Sequence, residues 1–184
     1  FDGSYQAGLT IKGSEVNQFG AGKFTIEFWL YMNDILGRDY HSLCDFRNAG
    51  DDADSLGLFM RGTGVSGGEG QFYVSSSGSA KLFGQRAKNK TWHHVVLVRE
   101  GDNLNCFLDG VAGTSDSFTN NLSAINNISI GWSPFNYESF RLDGKIADLR
   151  ITKGEAKYGG AGNGVDSFIP PTEPLQLEEG KDQI

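Results

Sequence analysis

Phe24-Thr25-Ile26-Glu27-Phe28-Trp29-Leu30-Tyr31 decides the fold class. Phe24, Ile26, Phe28 and Leu30 alternate with Thr25, Glu27, Trp29 and Tyr31, which is the period-2 signature of a strand. Aromatic residues stand on both faces. A strand wet on one side has no need of Trp29 and Tyr31 there, so this segment is expected at the centre of a sheet and largely covered.

Other stretches repeat the signal. Trp92-His93-His94-Val95-Val96-Leu97-Val98-Arg99 reads as a second central strand by its density of valine. Glu100-Gly101-Asp102 then turns the chain into a strand over 103–108, forming a hairpin that ends at Asp109-Gly110. Further strands are expected over 125–130 and 142–152, with weaker ones over 9–12, 42–47, 55–61, 71–74 and 80–83. Helical periodicity is almost absent. The best candidate for a helical turn is short, over 153–158. Ten or more strands with frequent turns predict an all-β antiparallel sandwich or jelly roll, with a closed barrel as the structural alternative.

Composition agrees. The 184 residues suffice for one domain, and 26 glycines, roughly twice ordinary usage, supply turns without any Gly-X-Y period. With 16 basic and 23 acidic residues the net charge is −7. Nucleic-acid binding needs a cationic face to displace counterions, and none is visible; anionic membrane surfaces are disfavoured for the same reason. No apolar run is long enough to span a bilayer, and no signal peptide is apparent. The chain opens on Phe1, as expected of a processed product or the ordered part of something larger. Residues 170–184 carry Pro-Pro and then acidic residues, and are expected to form an exit strap laid across the domain spanning 1–169 or a linker leaving it. Cys44 and Cys106 read either as two buried core thiols or as one disulfide.

Catalytic constellations are missing. No Glu-x-Asp-x-Glu run occurs, and Glu27 stands alone on its strand. His93 and His94 are adjacent and must point oppositely, and His41 is remote in sequence. No Gly-x-Ser-x-Gly elbow, phosphate loop or Cys-x-x-Cys is present. The chain is therefore not expected to be an enzyme. Two loops invite binding. The run 45–54 gathers Asp45, Asn48, Asp51, Asp52 and Asp54, hard oxygen ligands of the kind Ca²⁺ takes, although an ordinary solvated acidic loop reads the same way. The loop 131–140 holds Trp132, Phe135, Tyr137 and Phe140. These side chains offer a sugar-stacking or protein-docking surface, or a plug closing one end of the sandwich. Three Asn-x-Ser/Thr sequons, at Asn89, Asn121 and Asn127, matter only in a eukaryotic secretory route.

The order of motifs resembles the laminin-G-like, concanavalin-A-like jelly-roll family. Phe1-Asp2-Gly3-Ser4 is similar to its first-strand motif. It is followed by Gly20-Ala21-Gly22-Lys23 before Phe24, by Trp92-His93-His94-Val95, by the hairpin ending Asp109-Gly110, by Ile128-Ser129-Ile130-Gly131 and by Gly144-Lys145-Ile146-Ala147-Asp148-Leu149-Arg150-Ile151. Arg150 to Tyr158, followed by Phe168-Ile169-Pro170-Pro171-Thr172, resembles the variant found in bacteriophage virion proteins. The glycine-rich run 159–164 departs from it.

The resemblance implies a non-catalytic module on a virion surface, extracellular in location. Its expected role is adhesion to host-surface glycan, or decoration of capsid or tail through contacts with other virion proteins or copies of itself; a glycan hydrolase is the third reading. In some relatives it implies a structural Ca²⁺ joining the first-strand region to an acid on the closing strand. That carries over to Asp148, with Asp2 or a nearby carbonyl, and Asp148 making a salt bridge or backbone hydrogen bonds is the alternative.

Overall fold

The structure, a computed structural model, describes residues 1–4, 7–12, 18–35, 37–47, 55–76, 79–122, 127–135, 140–159 and 167–184. Among them are thirteen strands and no helix: β1 (Leu9–Lys12), β2 (Phe24–Met32), β3 (Tyr40–Asp45), β4 (Gly57–Arg61), β5 (Gln71–Ser76), β6 (Ser79–Arg86), β7 (Trp92–Glu100), β8 (Asn103–Leu108), β9 (Val111–Ala112), β10 (Asp116–Ser117), β11 (Asn127–Ile130), β12 (Gly144–Lys153) and β13 (Asp182–Gln183). They form two antiparallel sheets. One runs β1-β11-β3-β4-β5-β6; the other runs β10-β8-β7-β2-β12-β13, with β9 beside β8. This is a concanavalin-A-like jelly-roll sandwich.

β2 lies between β7 and β12, as its two-faced aromatics predict. Phe24, Ile26, Phe28 and Leu30 are fully buried between the sheets with Val95 and Leu97 of β7. Each such side chain contributes roughly 1.5–3 kcal/mol relative to exposure. The other face of the same sheet is also covered. Val96, Val98 and Phe107 pack there against Ala112, Ala156, Tyr158 and Phe168. That second layer explains why β7 reads as an unbroken valine run rather than an alternation.

The C-terminal segment makes this cover. The Phe168 N–H bonds the Gly110 carbonyl at 2.8 Å. A Cβ on Gly110 would lie 1.9 Å from the Phe168 carbonyl oxygen, and the residue has φ +79°, so glycine is required there twice over. Phe168 stacks on Tyr158 with centroids 4.0 Å apart. Farther on, β13 adds an edge strand to β12, pairing Gln183 with Thr152.

β12 carries the irregularity that shapes the outer face. Ala147 pairs with Trp29 and Arg150 pairs with Glu27. Three residues on β12 thus span two on β2, which is a β-bulge. The extra residue turns Arg150 to the same face as Ala147, a reversal that alternation alone does not predict. Asp148, inside the bulge, has φ +51°.

Some expected boundaries move. The strand expected over 42–47 is Tyr40–Asp45. It stops where the Arg47 N–H turns back to Asp45 Oδ1 at 3.0 Å. No helical turn forms over 153–158, because Gly154 (φ +81°) and Tyr158 (φ +62°) both take conformations that a right-handed helix excludes. The strand expected from 125 begins at Asn127; residues 125–126 lie outside the described ones. Cys44 and Cys106 are both free and buried.

Candidate functional site

A concave feature lies on the outer face of the seven-stranded sheet. It is a cleft of about 370 Å³ floored by Trp29 and Trp92, edged by Ala147 and Asp148, and walled by residues 171–174. Its volume is at the small end of ordinary ligand pockets.

Sheet register builds the floor. Trp29 pairs with His94 and Tyr31 pairs with Trp92, so the two tryptophans are diagonal neighbours on one face of adjacent strands. Trp92 opens its strand and is 43% exposed. Trp29 is half-buried, its ring 5.2 Å from the His94 ring. Ala147 is small enough to leave Trp29 uncovered beside it. Asp148 and Glu173 are exposed, and neither carboxylate makes a hydrogen bond or ion pair with a described residue. Apolar ring faces with free hydrogen-bond acceptors at the rim suit a ligand that is apolar on its flat side and hydroxylated at its edge.

The wall is fastened from below. Arg150 Nη1 donates to the Gln176 carbonyl at 2.6 Å and to Glu178 Oε1 at 3.2 Å. Lys157 Nζ also contacts Glu178 Oε1. Arg150 itself is held by fully buried Glu27, through Nε at 2.9 Å and Nη2 at 2.7 Å, both to Oε1. Burial alone would raise the Glu27 carboxyl. His94 beside it, Tyr158 and Arg150 together outweigh burial and hold it below the usual range. His94 Nε2 is 3.6 Å from Glu27 Oε2, a close approach rather than a hydrogen bond.

Sequence reasoning passed over Trp29 and Trp92 as candidates, treating the one as sheet cover and the other as a strand opening. The available signal was a pair of tryptophans at outward positions of two strands expected to be central. The residues it favoured are dispersed. Trp132 is half-buried and anchors β1, its Nε1 donating to the Leu9 carbonyl at 3.0 Å and its ring resting on Gly8. Phe135 is 43% exposed and lies under the Arg47 guanidinium, 4.6 Å from its ring centroid. Phe140 packs on Tyr40 at 4.8 Å. Tyr137, Asp51, Asp52 and Asp54 lie outside the described residues.

Asp2 pairs as an isolated bridge with Asp143, and its Oδ1 accepts the Ser4 N–H at 2.9 Å; hydrogen bonding from the Ser4 side chain first, and then from its backbone, lowers the Asp2 carboxyl from the ordinary range. Asp148 is five residues beyond Asp143, roughly 15 Å along a strand. Among the described residues no three His, Cys, Asp or Glu side chains converge. Asp2 and Asp148 therefore do not meet each other directly.

The histidines also stay apart. His93 pairs with Leu30 and His94 with Trp29, on opposite faces. His93 Nδ1 meets Asp109 Oδ2 at 2.7 Å, while its Nε2 accepts the Lys88 N–H at 3.0 Å, so its proton sits on Nδ1. Both nitrogens are occupied by the fold. A glycosidase would need two carboxylates, with burial or a like charge keeping one protonated. Both carboxylates of the cleft are exposed.

Solved structures share this architecture. One from Bacteroides ovatus ATCC 8483, whose description proposes carbohydrate binding, aligns with TM-score 0.64 at 14% identity over 83% of this chain. The chain spans 42% of that protein's length. Domain 4 of the extracellular arabinanase AbnA from Geobacillus stearothermophilus, in complex with arabinotriose, aligns with TM-score 0.60 at 16% identity, covering 84% of this chain and 70% of that one. The CBM40 of a Ruminococcus gnavus IT-sialidase, bound to α2,3 sialyllactose, aligns with TM-score 0.57 at 11% identity, covering 80% and 92%. At these identities the likeness is one of fold. No curated protein matches the sequence. Residues 2–156, from the Asp2 bridge through the closing strand, match the family Laminin_G_3. A jelly roll with these two sheets, matched over most of its length, belongs to that family, the concanavalin A-like lectin/glucanases superfamily.

Proposed function

We propose that this chain is a non-catalytic glycan-recognition module, and that the cleft over Trp29 and Trp92 is its sugar site. The observation that carries the reading is the diagonal tryptophan pair beside two unpartnered carboxylates. Sugar rings present C–H faces that stack on indole, and their hydroxyls donate to carboxylates. The family's description as lectins and glucanases supports the class, as do neighbours whose descriptions name arabinotriose and sialyllactose. An extracellular or surface location fits the same role. Calorimetric titration of oligosaccharides into wild type and Trp92→Ala tests it. Binding should weaken at least tenfold in the variant, and unchanged affinity would remove the site.

The finer reading is display on a virion surface, as an adhesion or decoration module. It stands on the resemblance of the segments 150–158 and 168–172 and on the acidic net charge of −7. Mass spectrometry of purified particles checks it: the chain should be a stoichiometric component.

A further inference from the structure

We infer that the cleft selects uncharged glycans and rejects acidic ones, and that the wall contributed by residues 171–174 supplies half of that selection. The inference rests on the glycan reading above and adds a ligand class to it.

The charge pattern carries the argument. Among the described residues that line the cleft, the charged ones are Asp148 and Glu173, and neither has a cationic partner. Of the neighbouring cations, both Arg150 and Lys157 are tied into ion pairs, and exposed Lys145 stands on the same face over Tyr31 rather than at the carboxylates. Arg150 is held by Glu27 and Glu178, Lys157 contacts Glu178, and Lys145 Nζ lies 5.3 Å from the centroid of the Tyr31 ring. A uronate, sulfate or sialic-acid carboxylate entering here meets like charge on two sides and no guanidinium to pair with. Like-charge juxtaposition rejects wrong ligands more effectively than missing contacts do. A neutral ring keeps the stacking on Trp29 and Trp92 and gains acceptors for its hydroxyls.

The two carboxylates come from different parts of the chain. Asp148 is placed by the bulge in β12. Glu173 comes from the strap, which lies beyond the family match ending at residue 156. The same fold without this strap would keep the tryptophan floor and lose one of the two repelling charges.

Lactose and 3′-sialyllactose form a matched neutral and acidic pair, as do galacto-oligosaccharide and oligogalacturonate of equal length. Titrating each pair into wild type, Trp92→Ala and Asp148→Asn/Glu173→Gln reads the inference directly. At low ionic strength the neutral member of a bound pair should bind at least tenfold tighter than its acidic partner. The double variant should narrow that gap several-fold, and raising salt should narrow it too, because the Debye length falls to about 8 Å at 0.15 M. Equal or tighter binding of the acidic members, abolished by Trp92→Ala, overturns the selectivity and leaves the glycan site standing. Absence of binding to every member, or binding indifferent to Trp92→Ala, overturns the glycan reading and this inference with it.

Discussion

The Tyr158 hydroxyl donates to Glu27 Oε2 at 2.8 Å while Arg150 occupies Oε1 of the same carboxylate. Residues 131 positions apart thus meet on a buried charge in the middle of the outer face. Tyr158→Phe removes one hydrogen bond to a charged group and should cost about 1.5–3 kcal/mol. Glu27→Ala leaves the Arg150 guanidinium, 7% exposed, without its buried partner, and should cost about 3–5 kcal/mol. Urea denaturation followed by tryptophan fluorescence measures both; equal effects would mean that the Arg150 pair is not the dominant interaction.

The acid limb of stability should report Glu27. Its folded carboxyl is held below the ordinary range, whereas the unfolded value is about 4.3. A depressed folded value contributes stability that is full above about pH 4.3 and is lost as pH falls through the folded value. Glu27→Gln mimics the protonated form. Denaturation midpoints of wild type and Glu27→Gln should therefore differ most near pH 7 and converge below about pH 4. A gap that stays constant to pH 3 would place the acid sensitivity elsewhere.

How much of this was legible beforehand depends on locality. The strands were readable because side-chain alternation is a local property, and β2, β7 and β8 fall where it puts them. Glu27 was readable as an isolated acid on an apolar strand. Its partner was not, since counting alternate residues from Ala147 sends Arg150 to the opposite face, and the bulge reverses that count. The aromatic loop was readable as a cluster in sequence, yet Trp132 and Phe135 are drawn to different neighbours, Leu9 and Arg47. Trp29 and Trp92 come together on one face through strand pairing across 63 residues, which no window of sequence displays.

Both thiols should be silent in the folded protein. Burial pushes the Cys106 thiol up to about 12 and raises that of Cys44 as well, with Asp45 adding to the effect there. A thiol that is neither exposed nor ionised does not attack disulfide reagents. Ellman's reagent should find no reactive thiol in native buffer and two per chain in denaturant. Rapid native labelling of either cysteine would contradict the packing of the core.

Asp2 and Asp148 stand apart along the sheet, so Asp148→Asn should leave any shift of the melting midpoint by chelation or calcium unchanged within about a degree. Thermal melts in EDTA and in millimolar CaCl₂ decide this, because a ligand that binds the native state raises the midpoint by mass action. A calcium-dependent rise of several degrees that Asp148→Asn abolishes would overturn this.

The bulge in β12 has a consequence for how this chain tolerates change. Loss of a single residue between Ala147 and Arg150 would close the bulge and leave the two residues two positions apart, still on one face by regular alternation. Arg150 would keep its place opposite Glu27 and Ile151, 2% exposed, would stay between the sheets, while the one residue left opposite Phe28 would face inward, so the outward Asp148 carboxylate would be lost. A deletion of one codon here would thus spare the core and the Arg150–Glu27 pair and act on the rim of the cleft alone. When relatives are compared along this strand, the spacing between the small residue and the arginine is the character to score.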